Sequence, residues 1–258
     1  MAYDAPFSTI TRRSPSLRGD ASAALSLGSV GLAVAVFALV WSGGFGIETV
    51  VAAAVPYAII AAIVLSRIET FHPHERFGAA NGVTLARAII NCLLIGLLAG
   101  LLTGGDGVVA GWRVGAEWLF FAAAIFSLSL DGVDGFLARR QGLASRFGAR
   151  FDVEIDAMLL STLAIAAWTF GTAGPWVIAM GATYYAFLAS RAVISWLRPD
   201  LPPSLLRKAV CVLQGAALIV LVTPFIPANL ANVLAAVALS ALWLSFGRDV
   251  LWLWRARQ

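Results

Sequence analysis

The feature that most limits what this chain can become is the recurrence of apolar runs about 20 residues long. Runs of this length can cross the ~30 Å hydrocarbon core of a bilayer as helices. Eight such runs are read, at residues 22–42, 48–66, 82–103, 116–138, 151–172, 176–197, 209–224 and 229–247. Backbone inside lipid must satisfy its own hydrogen bonds, which leaves helices or a closed barrel. A barrel would show alternating segments of about ten residues, and the sequence has none. The expected fold class is an all-α polytopic membrane protein of about eight spans. Charged residues make up 12% of the chain, about half the share of an ordinary soluble domain, which agrees with that class.

The formal charge of +4 raises the question of nucleic acid, and the placement of the charge answers it. If the N-terminus is cytoplasmic, every Lys and Arg except Arg113 falls in a cytoplasmic segment or at a cytoplasmic helix end. Cations resist translocation during insertion, so this asymmetry orients the chain and leaves no support for a nucleic-acid role. The reading is an integral membrane protein, of the bacterial inner-membrane type, with both termini in the cytoplasm. Trp41, Trp112, Trp176, Trp196 and Trp252 lie near span ends, at the depth where amphipathic rings settle. Cys92 and Cys211 sit in apolar runs without a metal-type spacing, and read as buried, unreactive thiols.

Residues 1–20 are polar and read as a surface or disordered segment. The basic stretch RRSPSLRGD before the first apolar run imitates a signal peptide, but the run continues to Trp41 and further spans follow, so a retained helix is expected. Spans one and two form a hairpin turning at Ser42–Gly46. The hydrophilic segment SRIETFHPHERFGAAN, residues 66–81, separates this hairpin from the other six spans. It marks the expected division into 1–79 (polar segment, two spans and connector) and 80–258 (six spans). His72 and His74 in that segment are interrupted by Pro73 and surrounded by charge, and read as part of a solvated connector rather than a metal site.

One stretch breaks the apolar pattern. DGVDGFLARRQGLASRFGARFDVEID, residues 131–156, concentrates four Asp, one Glu and four Arg. Such a cluster is either a polar loop between spans or a working site. On a helix Asp131 and Asp134 lie close on one face, with Gly135 and Ala138 following on it. On the next helix Gly148, Asp152 and Asp156 share a face at steps of four. A connector of about ten residues makes the two helices neighbours, so four carboxylates can converge at the cytoplasmic membrane edge beside space left by small residues. Carboxylates so close in a low dielectric repel, and an oxygen-only donor set favours a hard divalent ion, Mg²⁺ or Mn²⁺. Such an ion suits phosphate chemistry, and Arg139, Arg140, Arg146 and Arg150 add phosphate-binding cations. Glu154 lies off the Asp152–Asp156 face and has no assigned role. Ionisable residues at membrane depth are functional candidates by default.

These residues also resemble a known signature. Asp131, Asp134, Gly135, Ala138, Arg139, Gly148, Asp152 and Asp156 fill every fixed position of D-x2-D-G-x2-A-R-x8-G-x3-D-x3-D, the motif of the CDP-alcohol phosphotransferase (CDP-alcohol phosphatidyltransferase) family. Upstream, AANGVTLAR (79–87) resembles the family's P-N-x-L-T-x-x-R, matching at Asn81, Thr84 and Arg87, with Ala80 and Val83 departing. RKAVCVLQ (207–214) weakly resembles G-K-x-x-T-x-x-Q, matching at Lys208 and Gln214, with Arg207 and Cys211 departing. The resemblance covers roughly residues 80–247, the family's six-helix core, and leaves the first two spans outside.

The resemblance implies a phospholipid-synthesis enzyme that transfers a phosphatidyl group from CDP-diacylglycerol to an alcohol and releases CMP. It implies that Asp131, Asp134 and Asp152 hold the divalent metal, and that Asp156 is the general base and a ligand of a second ion. Gly135, Ala138, Arg139, Gly148 and Thr84 would form the nucleotide site. Arg191, Arg207 and Lys208, with Arg198 nearby, are the candidate anchors for a water-soluble, phosphorylated acceptor such as glycerol phosphate or inositol phosphate. Arg191 is placed about a turn and a half inside span six. A homodimer is expected by family analogy. Two other functions stay open: a transferase joining a soluble CDP-alcohol to a lipid acceptor, and a transporter using the aspartates as an ion relay.

Overall fold

The computed structural model describes residues 15–43, 45–104, 106–199, 201–202 and 204–255. Within its helices the side chains of residues 15, 16, 43, 106–110, 131, 133, 134, 136, 138 and 139 lie outside the description. The described residues form α1 (Pro15–Gly43), α2 (Ile47–Phe71), α3 (Gly78–Thr103), α4 (Asp106–Gln141), α5 (Arg146–Thr169), α6 (Ala179–Val193), α7 (Leu205–Leu221) and α8 (Ala228–Arg255). Short 3-10 turns, Pro175–Ile178 and Ser195–Leu197, flank α6. No strand occurs among the described residues. The fold is an all-α polytopic membrane architecture, and each of the eight apolar runs contributes one helix.

The helix ends follow local chemistry. Gly142 at φ +63° takes the left-handed conformation that stops α4. Ser145 caps α5 by accepting the Gly148 amide at 3.0 Å, and Ser204 caps α7 by accepting that of Arg207 at 3.4 Å. Both supply an acceptor to an amide the helix itself cannot satisfy. Pro175 opens the turn into α6, where a missing N–H costs nothing.

Helices α1, α2, α3, α8 and the Gly111–Leu130 part of α4 are long and apolar enough to span a membrane. The other three differ for physical reasons. Five charged residues, Arg146, Arg150, Asp152, Glu154 and Asp156, lower the hydropathy of α5. Helices α6 and α7 have 15 and 17 residues, about 22 and 26 Å at 1.5 Å per residue. Span six was expected to reach residue 197, but α6 stops at Val193 and the chain bends through Ser195–Leu197. Arg191 therefore lies in the last turn of α6 rather than a turn and a half inside it. At the other end, α1 starts at Pro15, so the last residues of the polar segment are helical.

Helix α3 is the centre of the molecule and packs against α1, α2, α4 and α5. One of its faces, with Leu85, Ala88 and Cys92, joins α1, α2 and the first half of α5 in one apolar core. The opposite face, with Leu94, Leu97 and Leu101, joins α4 to α8 in another. The hairpin α1–α2 thus shares a core with the helices that carry the charged stretch. Gly96 and Gly100 of α3 make this closeness possible. A Cβ on Gly96 would stand 2.8 Å from the Thr49 carbonyl, and one on Gly100 2.5 Å from Thr49 Oγ1. Small residues four apart bring helix backbones together in membranes.

Two further expectations are corrected. The connector after α2 is not solvated throughout, because His72 is only 3% exposed; the α4–α5 connector covers it. Cys92 is buried as expected, but Cys211 is exposed, being on the α7 face that lines a cavity.

Candidate active site

The site is built on a polar stripe of α3. Asn81, Thr84, Arg87 and Asn91 recur every three or four residues on one face, and all four are buried. That face meets α5. The Asn91 amide donates to the Ile155 carbonyl at 3.1 Å. Asn81 Oδ1 lies 2.9 Å from where a Cβ on Gly148 would stand, so the absent side chain of Gly148 admits α3 at the first turn of α5. Thr84 Oγ1 donates to the Ala80 carbonyl at 3.2 Å.

Between these contacts lies Arg87, 1% exposed. Its Nη1 donates to Asp152 Oδ1 at 2.6 Å, its Nη2 donates to Asp156 Oδ1, and its Nε faces Ser127 Oγ of α4 at 3.5 Å. A buried guanidinium is costly unless paired and hydrogen-bonded, and here one fork spans two carboxylates a helical turn apart. The aspartates are about a third exposed, 31% and 36%, whereas the guanidinium between them is buried. Carboxylate oxygens a helical turn apart are a donor set that fits a hard divalent cation. Among the described residues no group of three or more His, Cys, Asp or Glu is gathered closely enough to hold one. Asp131 and Asp134, with Ala138 and Arg139, belong to the last turns of α4, and their side chains lie outside the described residues. Gly135 is half-buried on the same helix.

Beside Asp156 opens a cavity of about 360 Å³ between α5, α6, α7 and α8. Its wall is mostly apolar, including Leu160, Met180, Phe187 and Phe246, with Asp156, Arg207, Gln214, Ser245 and Asp249 among its polar members. Gly181 lets α6 approach α5 here, since a Cβ would stand 2.4 Å from Ser161 Cα. Arg207 donates to the buried Asp249 at 3.2 Å and to the Pro202 carbonyl, which ties α7 to α8 and to the segment before α7. Arg191 and Lys208 are absent from the cavity wall. Arg191 donates to the carbonyls of Leu197 at 3.0 Å, Arg198 at 2.5 Å and Pro199 at 3.3 Å, holding the bend after α6, and Lys208 is exposed. The structure therefore places Asp156 and Arg207 on one cavity wall, joins Asp152 to Asp156 through Arg87, and leaves Arg191 and Lys208 off that wall. Glu154, off the aspartate face as expected, pairs with Arg150 at 2.9 Å and accepts from the Tyr184 hydroxyl at 3.1 Å.

Sequence reasoning gave no site role to Arg87, Asn91, Ser127 or Asp249. The polar stripe 81, 84, 87, 91 was visible inside an apolar run and would have marked the α3 face. Asp249 is an acid within the apolar context of α8, the kind of residue that rarely lacks a partner.

Residues 77–245 match the model of the CDP-alcohol phosphatidyltransferase family. A curated protein of Oryza sativa subsp. japonica, named "CDP-diacylglycerol--glycerol-3-phosphate 3-phosphatidyltransferase 1, chloroplastic", is 41% identical over 63 residues. That stretch is 24% of this chain and 19% of the rice protein. No solved structure matches the chain.

Proposed function

Because the chain belongs to the CDP-alcohol phosphatidyltransferase family, we propose that it transfers a phosphatidyl group from CDP-diacylglycerol to the hydroxyl of a small, phosphorylated alcohol. The observation that carries this reading is the position of Asp156, which is bonded to buried Arg87 and also forms part of the cavity wall. An alcohol seated in the cavity can donate its hydroxyl proton to the Asp156 carboxylate. The alcohol oxygen then bonds to the phosphorus that bears the lipid, and the bond from that phosphorus to CMP breaks, CMP leaving with the electron pair. Arg87 holds Asp152 and Asp156 in register, so their geometry is set before substrate arrives.

Arg207 supplies the charge for a phosphorylated acceptor. A guanidinium has five N–H donors, and the bonds to Asp249 and Pro202 leave others for an anionic group in the cavity. Arg191 and Lys208, off the cavity wall, would contribute only to the surrounding positive field. Asp131, Asp134, Asp152 and Asp156 are the residues that would hold Mg²⁺ or Mn²⁺, whose chemistry would be to neutralise the diphosphate of the donor. Gly135, Ala138, Arg139, Gly148 and Thr84 are the proposed nucleotide contacts. In this reading the site faces the cytoplasm, as the distribution of Lys and Arg suggests.

The test is CMP release by the purified protein with CDP-diacylglycerol and Mg²⁺ or Mn²⁺. Glycerol phosphate, inositol phosphate, serine, choline and inositol would be offered in turn. The rice protein's name puts glycerol 3-phosphate first. Release with one acceptor, abolished in Asp156→Asn, is the expected result. Folded protein that releases no CMP with any of them overturns the proposal.

A further inference from the structure

The two connectors at the signature end of the molecule touch through side chains that no part of the transfer reaction uses. His72, just past α2, packs its ring edge-on to Phe147 with centroids 6.2 Å apart, and both ring nitrogens are engaged. Nε2 lies 2.8 Å from the Arg76 carbonyl, an acceptor only, so this nitrogen carries the proton. Nδ1, 2.8 Å from Ser145 Oγ, is then the acceptor in the neutral ring, and the Ser145 hydroxyl donates to it. The lone pairs of the same hydroxyl accept the Gly148 amide at 3.0 Å. The relay runs from the Arg76 carbonyl through His72 and Ser145 to the first turn of α5, and each group has one consistent role.

Three further contacts join the same segments. His74 Nε2 lies 3.2 Å from the Ala144 carbonyl, the Ala79 amide donates to Gln141 Oε1 at 3.3 Å, and Leu143 Cδ1 sits 2.9 Å from where a Cβ on Gly78 would be. Gly78 has φ +81°, so its lack of a side chain serves both the backbone turn and the seat for Leu143. The segment 72–79 therefore grips 141–148 along its whole length.

We propose that the α2–α3 connector, acting through His72 and Ser145, is a positioning clamp that fixes the N-terminus of α5 and so sets where Asp152 and Asp156 stand. His72 is a positioning residue. The two N-terminal helices, which lie outside the family match, thereby gain a role in the geometry of the site. Arg87 fixes the second and third turns of α5, and the clamp fixes the first. With only one of these anchors α5 could still pivot about it, shifting the carboxylates by the ångström that matters in a preorganised site.

The test uses the full-length protein in lipid nanodiscs, with His72→Phe, Ser145→Ala and the double variant. Phe preserves the ring against Phe147 but makes neither hydrogen bond. Hydrogen exchange needs no activity and reads the clamp directly. His72→Phe should speed exchange of the amides at 146–152 by about fivefold, the scale of one lost hydrogen bond, with other helices unchanged. In the Ser145→Ala background the same substitution should add nothing, because the relay is already cut. His72→Ala serves the same comparison if the Phe variant does not fold. Unchanged exchange at 146–152, additive effects of the two substitutions, or a loss of protection spread over all helices would each overturn the clamp.

The kinetic arm rests on the transfer reaction proposed above. There kcat should fall about fivefold while KM for CDP-diacylglycerol stays within about twofold, the pattern of misplaced reacting groups. An unchanged kcat in a folded variant with faster exchange would overturn the catalytic half of the proposal. Absence of CMP release in the wild type would count against the proposed function and leave the exchange result standing.

Discussion

Arg87 commits one guanidinium to two carboxylates, and the geometry explains why no other cation can replace it. Its planar fork reaches Asp152 and Asp156 with separate nitrogens, whereas a Lys ammonium is a point charge that cannot span a helical turn with fixed bonds. Arg87→Lys should keep the fold, since the buried charge remains, yet cost about tenfold or more in kcat, read from CMP release. In the proposed reaction Asp156 accepts the hydroxyl proton; Asp156→Asn keeps the side-chain shape but not that capacity, so CMP release should fall about 10²–10⁴-fold, the usual contribution of a general base. The carboxylates themselves were legible in the sequence because their spacing repeats with the helix and their chemistry is unusual in an apolar chain. Their partner was not. Arg87 lies 65 residues before Asp152, and no local spacing says which face of α3 will meet α5. Arg191 illustrates the reverse error. Its depth was inferred from the length of an apolar run, but the run outlasts the helix, and the guanidinium turns onto the carbonyls of the bend.

Among the elements, the first turn of α5 combines the most functions, and its link to His72 makes it sensitive to pH. Burial pushes the His72 imidazole below its ordinary value, opposed in part by its hydrogen bond to the Arg76 carbonyl. The folded state therefore favours neutral His72. Its stabilising contribution is complete above about pH 6.5, the unfolded value, and is lost as the pH falls from there through the depressed folded value. Other ionisable groups on the two connectors are His74, whose ring meets His72 at 5.1 Å, and Glu75, Arg76 and Arg146; Ser145 and Phe147 face it uncharged. Comparing the wild type with His72→Phe isolates the imidazole, because the rest of the chain is common to both. The thermal midpoint should fall more steeply between pH 7 and pH 5.5 in the wild type than in the variant, by differential scanning fluorimetry. At this scale the sequence was a good guide to which segments are helical, because eight apolar runs can hardly be anything else in lipid. It misjudged the segment 72–77. A run of charge and Pro reads as solvated, and only the tertiary approach of residues 141–145 shows that one of its histidines is covered.

For the molecule as a whole, the decisive contact is between the hairpin and the remaining helices, and it depends on two missing side chains. Gly96→Leu should drive α2 away from α3, since a Cβ there already meets the Thr49 carbonyl and the Ala53 methyl. Overpacking of this kind costs about 1–3 kcal/mol, and limited proteolysis of the 66–81 segment should accelerate as the hairpin loosens. The glycine pair was present in the sequence but unremarkable there, because glycines four apart are common in membrane helices and acquire meaning only from the helix that crosses them. The short helices beside the cavity have a consequence of another kind. At about 22 and 26 Å, α6 and α7 fall below the thickness of an average hydrocarbon layer, while α1, α2 and α3 exceed it. A bilayer wrapped around such a molecule must be compressed on one flank and stretched or met by tilted helices on the other. Headgroups next to α6 and α7 would dip toward the midplane, and in the proposed reaction they would carry the donor's phosphates closer to the cavity that Asp156 lines. Turnover should therefore track hydrophobic mismatch: faster in vesicles of lipids with acyl chains of about 14 carbons than of about 22, at equal surface charge and with the same protein.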